Sequence, residues 1–165
     1  MCGTATDNQH LKLRIAGIIQ ESITDGPGLR MTVFTQGCPH HCPGCHNPQT
    51  HDPAGGSWQS IAELIAIYQK NPLLDGITIS GGEPFLQPRP LFFLASGIHA
   101  HGGNVITYTG YQLAELQAMS DPDIAALLNE SDYIIDGPFI ARLRTLEKPF
   151  CGSSNQRVLK RGQDY

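Results

Sequence analysis

Residues Gly37 to Asn47 read G-C-P-H-H-C-P-G-C-H-N and place cysteines at positions 38, 42 and 45 of one short stretch. The prolines and glycines among them disfavour a helix, so we predict a loop. Three thiolates in one loop can converge on one metal centre, but structural zinc sites and ordinary four-iron clusters use four protein ligands. We therefore interpret C-x3-C-x2-C as a four-iron cluster with one iron left open for a substrate.

Two other metal centres fit parts of the same stretch. Zinc is compatible with it if His40, His41 or His46 supplies the fourth ligand, and the local pattern alone does not separate zinc from a cluster. Cys42 to His46 also match the attachment signature of c-type haem. Haem is disfavoured because no export signal precedes the stretch and because Cys38 would have no purpose.

Composition limits the classes of protein to consider. The chain has 165 residues, 40% of them hydrophobic and 16% charged, which is typical of one globular domain. A net charge of -4 gives no cationic field for nucleic acid, and no apolar run is long enough for a membrane span. The chain has five cysteines and shows no secretion signal, which argues against a disulfide framework and predicts a cytoplasmic protein. We expect a flexible tail over residues 1–10, a single domain over 11–165, and a plain thiol at Cys151.

The pattern along the chain predicts an α/β fold. Strands are expected over residues 11–19, 30–35, 76–80, 104–109, 133–136 and 156–160. Helices are expected over 58–68, 91–101, 113–119 and 124–128, with Ser57 or Ser60 capping the first and Trp58 and Tyr68 as packing residues. A closed eight-stranded barrel takes about 250 residues. The chain therefore predicts a partial, laterally open (βα) barrel of about five to six mainly parallel strands, through whose gap a large protein could reach the cluster.

A second motif, Gly81-Gly82-Glu83-Pro84, follows the third predicted strand. Glycines at the end of a strand permit a tight turn and the close approach of a ligand, because no Cβ atom intervenes. Asp136 at the end of a later strand either faces the same cleft or caps a turn.

Taken together, the motifs resemble a known family. The chain is similar to the radical S-adenosylmethionine enzymes, and within them to the activating proteins of anaerobic (class III) ribonucleotide reductase. The resemblance extends from Leu13 to Val158 in the same order. It rests on the cysteine loop and on T-D-G-P-G-L-R (24–30), S-G-G-E-P (80–84), Y-T-G-Y (108–111), D-G-P-F (136–139) and G-S-S-N-Q (152–156).

The resemblance implies a cofactor site. Cys38, Cys42 and Cys45 would hold a [4Fe-4S] cluster whose open iron binds the amino and carboxylate groups of S-adenosylmethionine. Gly44, Cys45 and His46 would lie along its adenosyl part, and Gly81, Gly82 and Glu83 would meet its amino group. Residues 25–30 would lie near the glycine loop of the partner.

The same resemblance implies the reaction. An electron from a flavodoxin-like donor would cleave S-adenosylmethionine, and the resulting radical would take hydrogen from a glycine of the reductase large subunit. No side chain is then needed as acid or base, because the cofactor supplies the chemistry. His46 departs from the reductase activators, which often have Tyr or Phe there, and resembles the C-H-N of pyruvate formate-lyase activators. One alternative function is thus activation of another glycyl-radical enzyme, of the pyruvate formate-lyase type. The other, from the local cysteine pattern, is a non-catalytic zinc-binding module that uses Cys38, Cys42, Cys45 and a histidine.

Overall fold

The computed structural model describes residues 11–165, so the predicted tail over residues 1–10 lies outside it. The described residues form the strands β1 (Lys12–Ser22), β2 (Arg30–Thr35), β3 (Ser57–Ser60), β4 (Gly76–Gly81), β5 (Asn104–Tyr108), β6 (Tyr133–Asp136) and β7 (Arg157–Lys160). The helices are α1 (Ile61–Gln69), α2 (Pro88–Ala100), α3 (Leu113–Ala118) and α4 (Pro122–Glu130). Single 3-10 turns occur at Pro48–Thr50, Pro84–Leu86 and Ala141–Leu143.

One open sheet contains all seven of these strands, in the spatial order β3-β1-β2-β4-β5-β6-β7. Only the central pairs β2-β4, β4-β5 and β5-β6 are parallel. The pairs β1-β2, β1-β3 and β6-β7 are antiparallel. The expectation of five to six mainly parallel strands was therefore wrong in number and in direction, although the sheet is α/β and does not close.

The additional strand is β3, whose residues had been predicted to begin the first helix. Ser57–Ser60 pairs with β1 instead, and the helix begins at Ile61. Ser60 is its N-cap and forms the predicted capping box with Glu63. Trp58 is 59% exposed on the edge strand, with the guanidinium of Arg14 5.3 Å from its ring centre, so its assignment as a helical packing residue was wrong. Tyr68 is buried in the core as predicted.

The helices pack on one face of the sheet. Right-handed crossovers that step from β2 to β4, β5 and β6 in one direction place their helices on one side, and α2 contacts both α1 and α4. Alternate side chains point to that face, among them Val33 of β2, Ile79 of β4, Val105 of β5 and Ile134 of β6, all fully buried in the main core. None of the helices within residues 11–165 has the length and apolar character needed to cross a membrane.

The carboxyl ends of the four parallel strands meet at one edge of the sheet. The cysteine loop follows β2, the Gly-Gly-Glu turn follows β4, Thr109-Gly110 follows β5 and Gly137-Pro138 follows β6. Ligands of open α/β sheets bind at this edge. The fold therefore gathers the motifs that are far apart in the sequence.

Candidate metal centre

A cavity of ≈ 580 Å³ opens at this edge of the sheet. Its volume lies within the range of about 300–1,000 Å³ found for small-molecule and cofactor sites. The predicted site residues on its wall are Cys38, Cys42, Cys45, His46, Gly81 and Gly82. The loop after β2 and the turn after β4 thus form one site.

The cysteine loop is held in a bent conformation by its own backbone. His41 and Gly44 have positive φ angles of 46° and 74°. The amide of Cys45 donates to the carbonyl of Cys42 at 3.0 Å, which closes the turn between these ligand positions. At the start of the loop, the amide of Cys38 donates to the carbonyl of His51 at 3.2 Å. These bonds turn the three cysteines towards one space.

The three thiols are suited in chemistry to an iron-sulfur cluster. None of the cysteines within residues 11–165 is in a disulfide. The amide of Asn47 donates to Sγ of Cys45 at 3.4 Å. Burial raises the pKa of the Cys38 thiol, and hydrogen bonds from the amides of His40 and His41 partly oppose this rise. Amides directed at cysteine sulfur stabilise the thiolate, which is the form that binds metal.

The three thiols are not arranged around a single ion. Among residues 11–165, no group of three or more Cys, His, Asp or Glu side chains is arranged to hold one metal ion. A four-iron cubane does not require such an arrangement, because each thiolate binds a different iron.

Gly81 and Gly82 are required by the packing of the turn against the start of the cysteine loop. The amide of Gly82 donates to the carbonyl of Thr35, and the amide of Glu83 to the carbonyl of Gly37, each at 2.8 Å. A Cβ atom on Gly82 would lie 2.2 Å from the carbonyl oxygen of Gly37. The turn and the loop can approach each other only because no side chain stands between them.

Glu83 lies behind the cavity wall and is fully buried. Its carboxylate accepts hydrogen bonds from the amides of Phe85 and Gly110, at 3.0 and 2.9 Å, and from the hydroxyl of Thr109 at 3.0 Å. Its remaining partner is Nε2 of His40, at 2.7 Å. A buried carboxylate needs such partners, since an unpaired buried charge is strongly unfavourable.

His40 is the site residue whose role sequence reasoning missed. We had considered it only as a zinc ligand, whereas its ring bonds to Glu83 and lies edge-on to Tyr111, with ring centres 4.5 Å apart. A Cβ atom on Gly110 would lie 2.5 Å from this ring, so Gly110 makes room for it. His40 thereby fastens the cysteine loop to the turns after β4 and β5. The spacing of Cys38, His40 and Cys42 gave no signal of the distant partner.

Asp25 and Asp136 have different surroundings. Asp25 lines the cavity, and its carboxylate accepts from the hydroxyls of Ser22 and Thr32 at 2.6 and 3.0 Å. Asp136 is buried, accepts from the amide of Leu113 at 2.8 Å and pairs with Arg157. Asp136 therefore has the capping role, which was one of the two roles predicted for it, and it caps the start of α3.

Cys151 also lines this cavity. Burial raises the pKa of its thiol. Burial raises the pKa of Cys38 as well, so this direction does not distinguish a plain thiol from a ligand, and the plain thiol at Cys151 remains a prediction.

Comparison with known proteins identifies the family. Residues 24–159 match a family model described as a 4Fe-4S single cluster domain. The anaerobic ribonucleoside-triphosphate reductase-activating protein of Salmonella typhi is 35% identical over 145 residues, which cover 82% of this chain and 91% of that protein. Its counterpart in Escherichia coli K12 is 35% identical over 147 residues, with the same coverage. The chain belongs to this family of activating proteins.

Two further proteins are similar to the chain, one over part of its sequence and one in its fold. The pyruvate formate-lyase-activating enzyme of Clostridium pasteurianum is 44% identical over 80 residues, which cover 46% of this chain and 34% of that enzyme. The crystal structure of QueE from Escherichia coli superposes with a TM-score of 0.55 at 16% identity, covering 86% of this chain and 79% of QueE. The second likeness concerns the fold alone.

Family membership favours one of the two metal centres considered for the cysteine loop, zinc and an iron-sulfur cluster. The local cysteine pattern left zinc and a cluster open, and the match to a 4Fe-4S domain favours an iron-sulfur centre. The histidines weighed as zinc ligands also have other contacts: His40 with Glu83, His41 with the ring of His51 and His46 with the ring of Phe139. This member of the activating-protein family is therefore an iron-sulfur protein.

Proposed function

We propose that this protein is a radical S-adenosylmethionine activase that generates a glycyl radical on anaerobic ribonucleotide reductase. The observation that carries the proposal is the 35% identity to activating proteins over 91% of their length. The convergence of the cysteine loop and the Gly-Gly turn on one cavity supports it, because this reaction needs a cluster and a substrate side by side.

The proposed ligands of the [4Fe-4S] cluster are Cys38, Cys42 and Cys45. Their thiols are free and line one cavity, and those of Cys38 and Cys45 accept the amide hydrogen bonds described above. With three protein ligands, one iron of the cluster would remain open for the amino and carboxylate groups of S-adenosylmethionine. When bound, the reduced cluster and S-adenosylmethionine supply the radical that removes a hydrogen atom from glycine.

The proposed contacts of S-adenosylmethionine divide between two loops. Gly44, Cys45 and His46 are assigned to the adenosyl part, and the ring of His46 is oriented by Phe139, with ring centres 4.8 Å apart. Gly81, Gly82 and Glu83 are assigned to the amino group. All the partners of the Glu83 carboxylate are within the chain, so an ammonium group that reaches it must displace His40 or share it.

The chain's own contribution is binding, orientation and the exclusion of water. The closely packed Gly82 and Gly37 set the distance between the two loops, and His40 fixes their relative orientation. Phe34, Tyr108, Phe139 and Phe150 add apolar surface to the cavity wall. Electrons are assigned to a flavodoxin-like donor, and free thiols suit a reducing compartment such as the cytoplasm.

The proposal is tested by anaerobic reconstitution with iron and sulfide. We expect a brown, oxygen-sensitive protein with about four irons per chain. Cys42→Ser should lose the cluster and reductive cleavage of S-adenosylmethionine together. Cys151→Ser is the matched control, because it removes a thiol of the same cavity that is not a proposed ligand, and it should keep both. Colourless protein that contains zinc instead of iron would overturn the proposal.

A second target is supported by one observation. The relative from Clostridium pasteurianum is a pyruvate formate-lyase-activating enzyme, and the chain has the Cys45-His46-Asn47 sequence of that class. Reconstituted protein should be mixed separately with anaerobic ribonucleotide reductase and with pyruvate formate-lyase, and electron paramagnetic resonance should be recorded. A glycyl signal on the lyase alone would reassign the target but keep the chemistry.

A further inference from the structure

Positive charge is concentrated in one part of the chain. Residues 141–161 contain six of the eleven Lys and Arg residues and only one of the fifteen Asp and Glu residues, Glu147. The protein as a whole has a net charge of -4, so the remainder is strongly acidic. Such asymmetry generates a local positive field on an otherwise negative protein.

Residues 141–150, called the mouth segment, form part of this region and border the cavity. Thr145, Leu146, Lys148, Pro149 and Phe150 all line it. The segment is anchored at both ends. Leu143 accepts a hydrogen bond from the amide of Ser154 at 2.8 Å, and the carbonyl of Phe150 accepts one from the hydroxyl of Tyr108 at 2.7 Å. It is thus a fixed wall of the site that also faces solvent.

Two arginines of the mouth segment have no ionic partner in the described part of the chain. Arg157 and Arg161 pair with Asp136 and Asp132, whereas Arg142 and Arg144 are exposed and form no salt bridge within residues 11–165. Their charge is therefore not used in holding the fold together.

Leu146 follows these arginines in the sequence and lines the cavity, and its side chain is 95% exposed. No other large apolar side chain in the described residues is exposed to that extent. Arginine is enriched at protein-protein contacts and among the residues that supply most of their binding energy, and an exposed apolar side chain beside it adds surface that a partner can bury.

We propose that the mouth segment docks the glycyl-radical partner, by binding an acidic polypeptide segment with an apolar side chain that flanks the target glycine. This inference rests on the proposed function. Hydrogen can be taken from a backbone glycine only if that backbone enters the cavity, so the flanking chain must cross its rim. Arg142 and Arg144 select acidic residues there by charge complementarity, and Leu146 provides apolar contact.

The test uses the full, reconstituted protein with dithionite as the electron source and purified anaerobic ribonucleotide reductase as the probe. The variants are Leu146→Ser and the double variant Arg142→Glu with Arg144→Glu. The matched controls are Leu73→Ser, at a leucine that is 75% exposed, and Lys70→Glu. Both controls precede β4, so they lie at the opposite edge of the sheet from the cavity.

Cleavage of S-adenosylmethionine without the reductase should be unchanged in the double variant and in both controls, whose residues do not line the cavity. With the reductase, the concentration that gives half of the maximal glycyl radical should rise at least about 10-fold in the double variant, which is about 1.4 kcal/mol of binding free energy. Leu146→Ser should raise it several-fold. Added salt should weaken the wild type more than the double variant, because salt screens the paired charges.

Several results would overturn the inference. An unchanged half-saturating concentration in the mouth-segment variants would do so, as would equal losses in the controls. A defect seen only when a protein donor replaces dithionite would assign the segment to the electron donor instead. If wild-type protein cleaves no S-adenosylmethionine, the proposed function fails first and this inference falls with it.

Discussion

Replacing Gly82 by alanine tests whether the turn after β4 and the cysteine loop work as one unit. The new methyl group would lie 2.2 Å from the carbonyl oxygen of Gly37 and 3.1 Å from that of Thr35. Both neighbours are backbone atoms, so no side chain can rotate to make room. Gly82 does not have a positive φ angle, so the cost is steric and not conformational.

The size of the effect follows from these contacts. An ordinary carbon-oxygen contact requires the loop and the turn to separate by about 1 Å, and overpacking of this kind costs about 1–3 kcal/mol. We expect the unfolding free energy to fall by about 3 kcal/mol, the upper end of this range, because the atoms in the way belong to the backbone. A displacement of about 1 Å at a reacting site can reduce the rate about 100-fold. Cleavage of S-adenosylmethionine should therefore fall by about that factor.

The assay combines anaerobic urea unfolding, iron content and the rate of S-adenosylmethionine cleavage. Gly17→Ala is the matched control, because a Cβ atom there meets nothing within 4 Å. We expect it to be neutral or slightly stabilising. Wild-type stability and cleavage in Gly82→Ala would refute the reasoning.

Two further predictions concern partly buried histidines. His40→Phe removes a donor from the buried Glu83 carboxylate and should lower the unfolding free energy by about 2–3 kcal/mol. His40→Gln keeps an amide donor, so it should lower the unfolding free energy by less than about 1 kcal/mol. Equal losses of the two variants in urea unfolding would contradict this prediction. His99 bonds to Asp132 and Glu130 at 2.8 and 2.7 Å. Burial alone lowers the pKa of His99, but the two carboxylates outweigh it and the net pKa is raised above its usual 6.5. Burial alone raises the pKa of Asp132, but the hydrogen bonds to His99 and to the amide of Val105, together with the charges of His99 and Arg161, outweigh it, and the net pKa lies below its usual 3.8. Stability from the pair is thus complete between about pH 3.8 and 6.5 and is lost as pH rises through the raised His99 pKa. Urea unfolding from pH 6 to 9 should show a decline in wild type that His99→Gln lacks, and parallel curves would rule the pair out.

Local sequence specified the interior of the fold better than its edges. The buried strands β4 and β6 were predicted from short apolar runs and glycine turns, whose conformation depends on few distant contacts. β3 could not be predicted, because four residues acquire strand structure only by pairing with β1, more than forty positions away. Trp58 fell by chance in register with the helical pattern of α1. The capping box at Ser60 was a better indicator of where that helix begins.

In the site, too, local motifs could be predicted from the sequence and distant contacts could not. The cysteine loop and the two glycines were evident because each motif is local. The bond between His40 and Glu83 joins residues 43 positions apart and became visible only in the structure. It changes the expected role of Glu83, since a carboxylate with about four acceptor positions already has partners in Phe85, Gly110, Thr109 and His40. A cation that binds there must therefore compete with the residue that fastens the cysteine loop, which couples occupation of the cavity to the position of the three thiols.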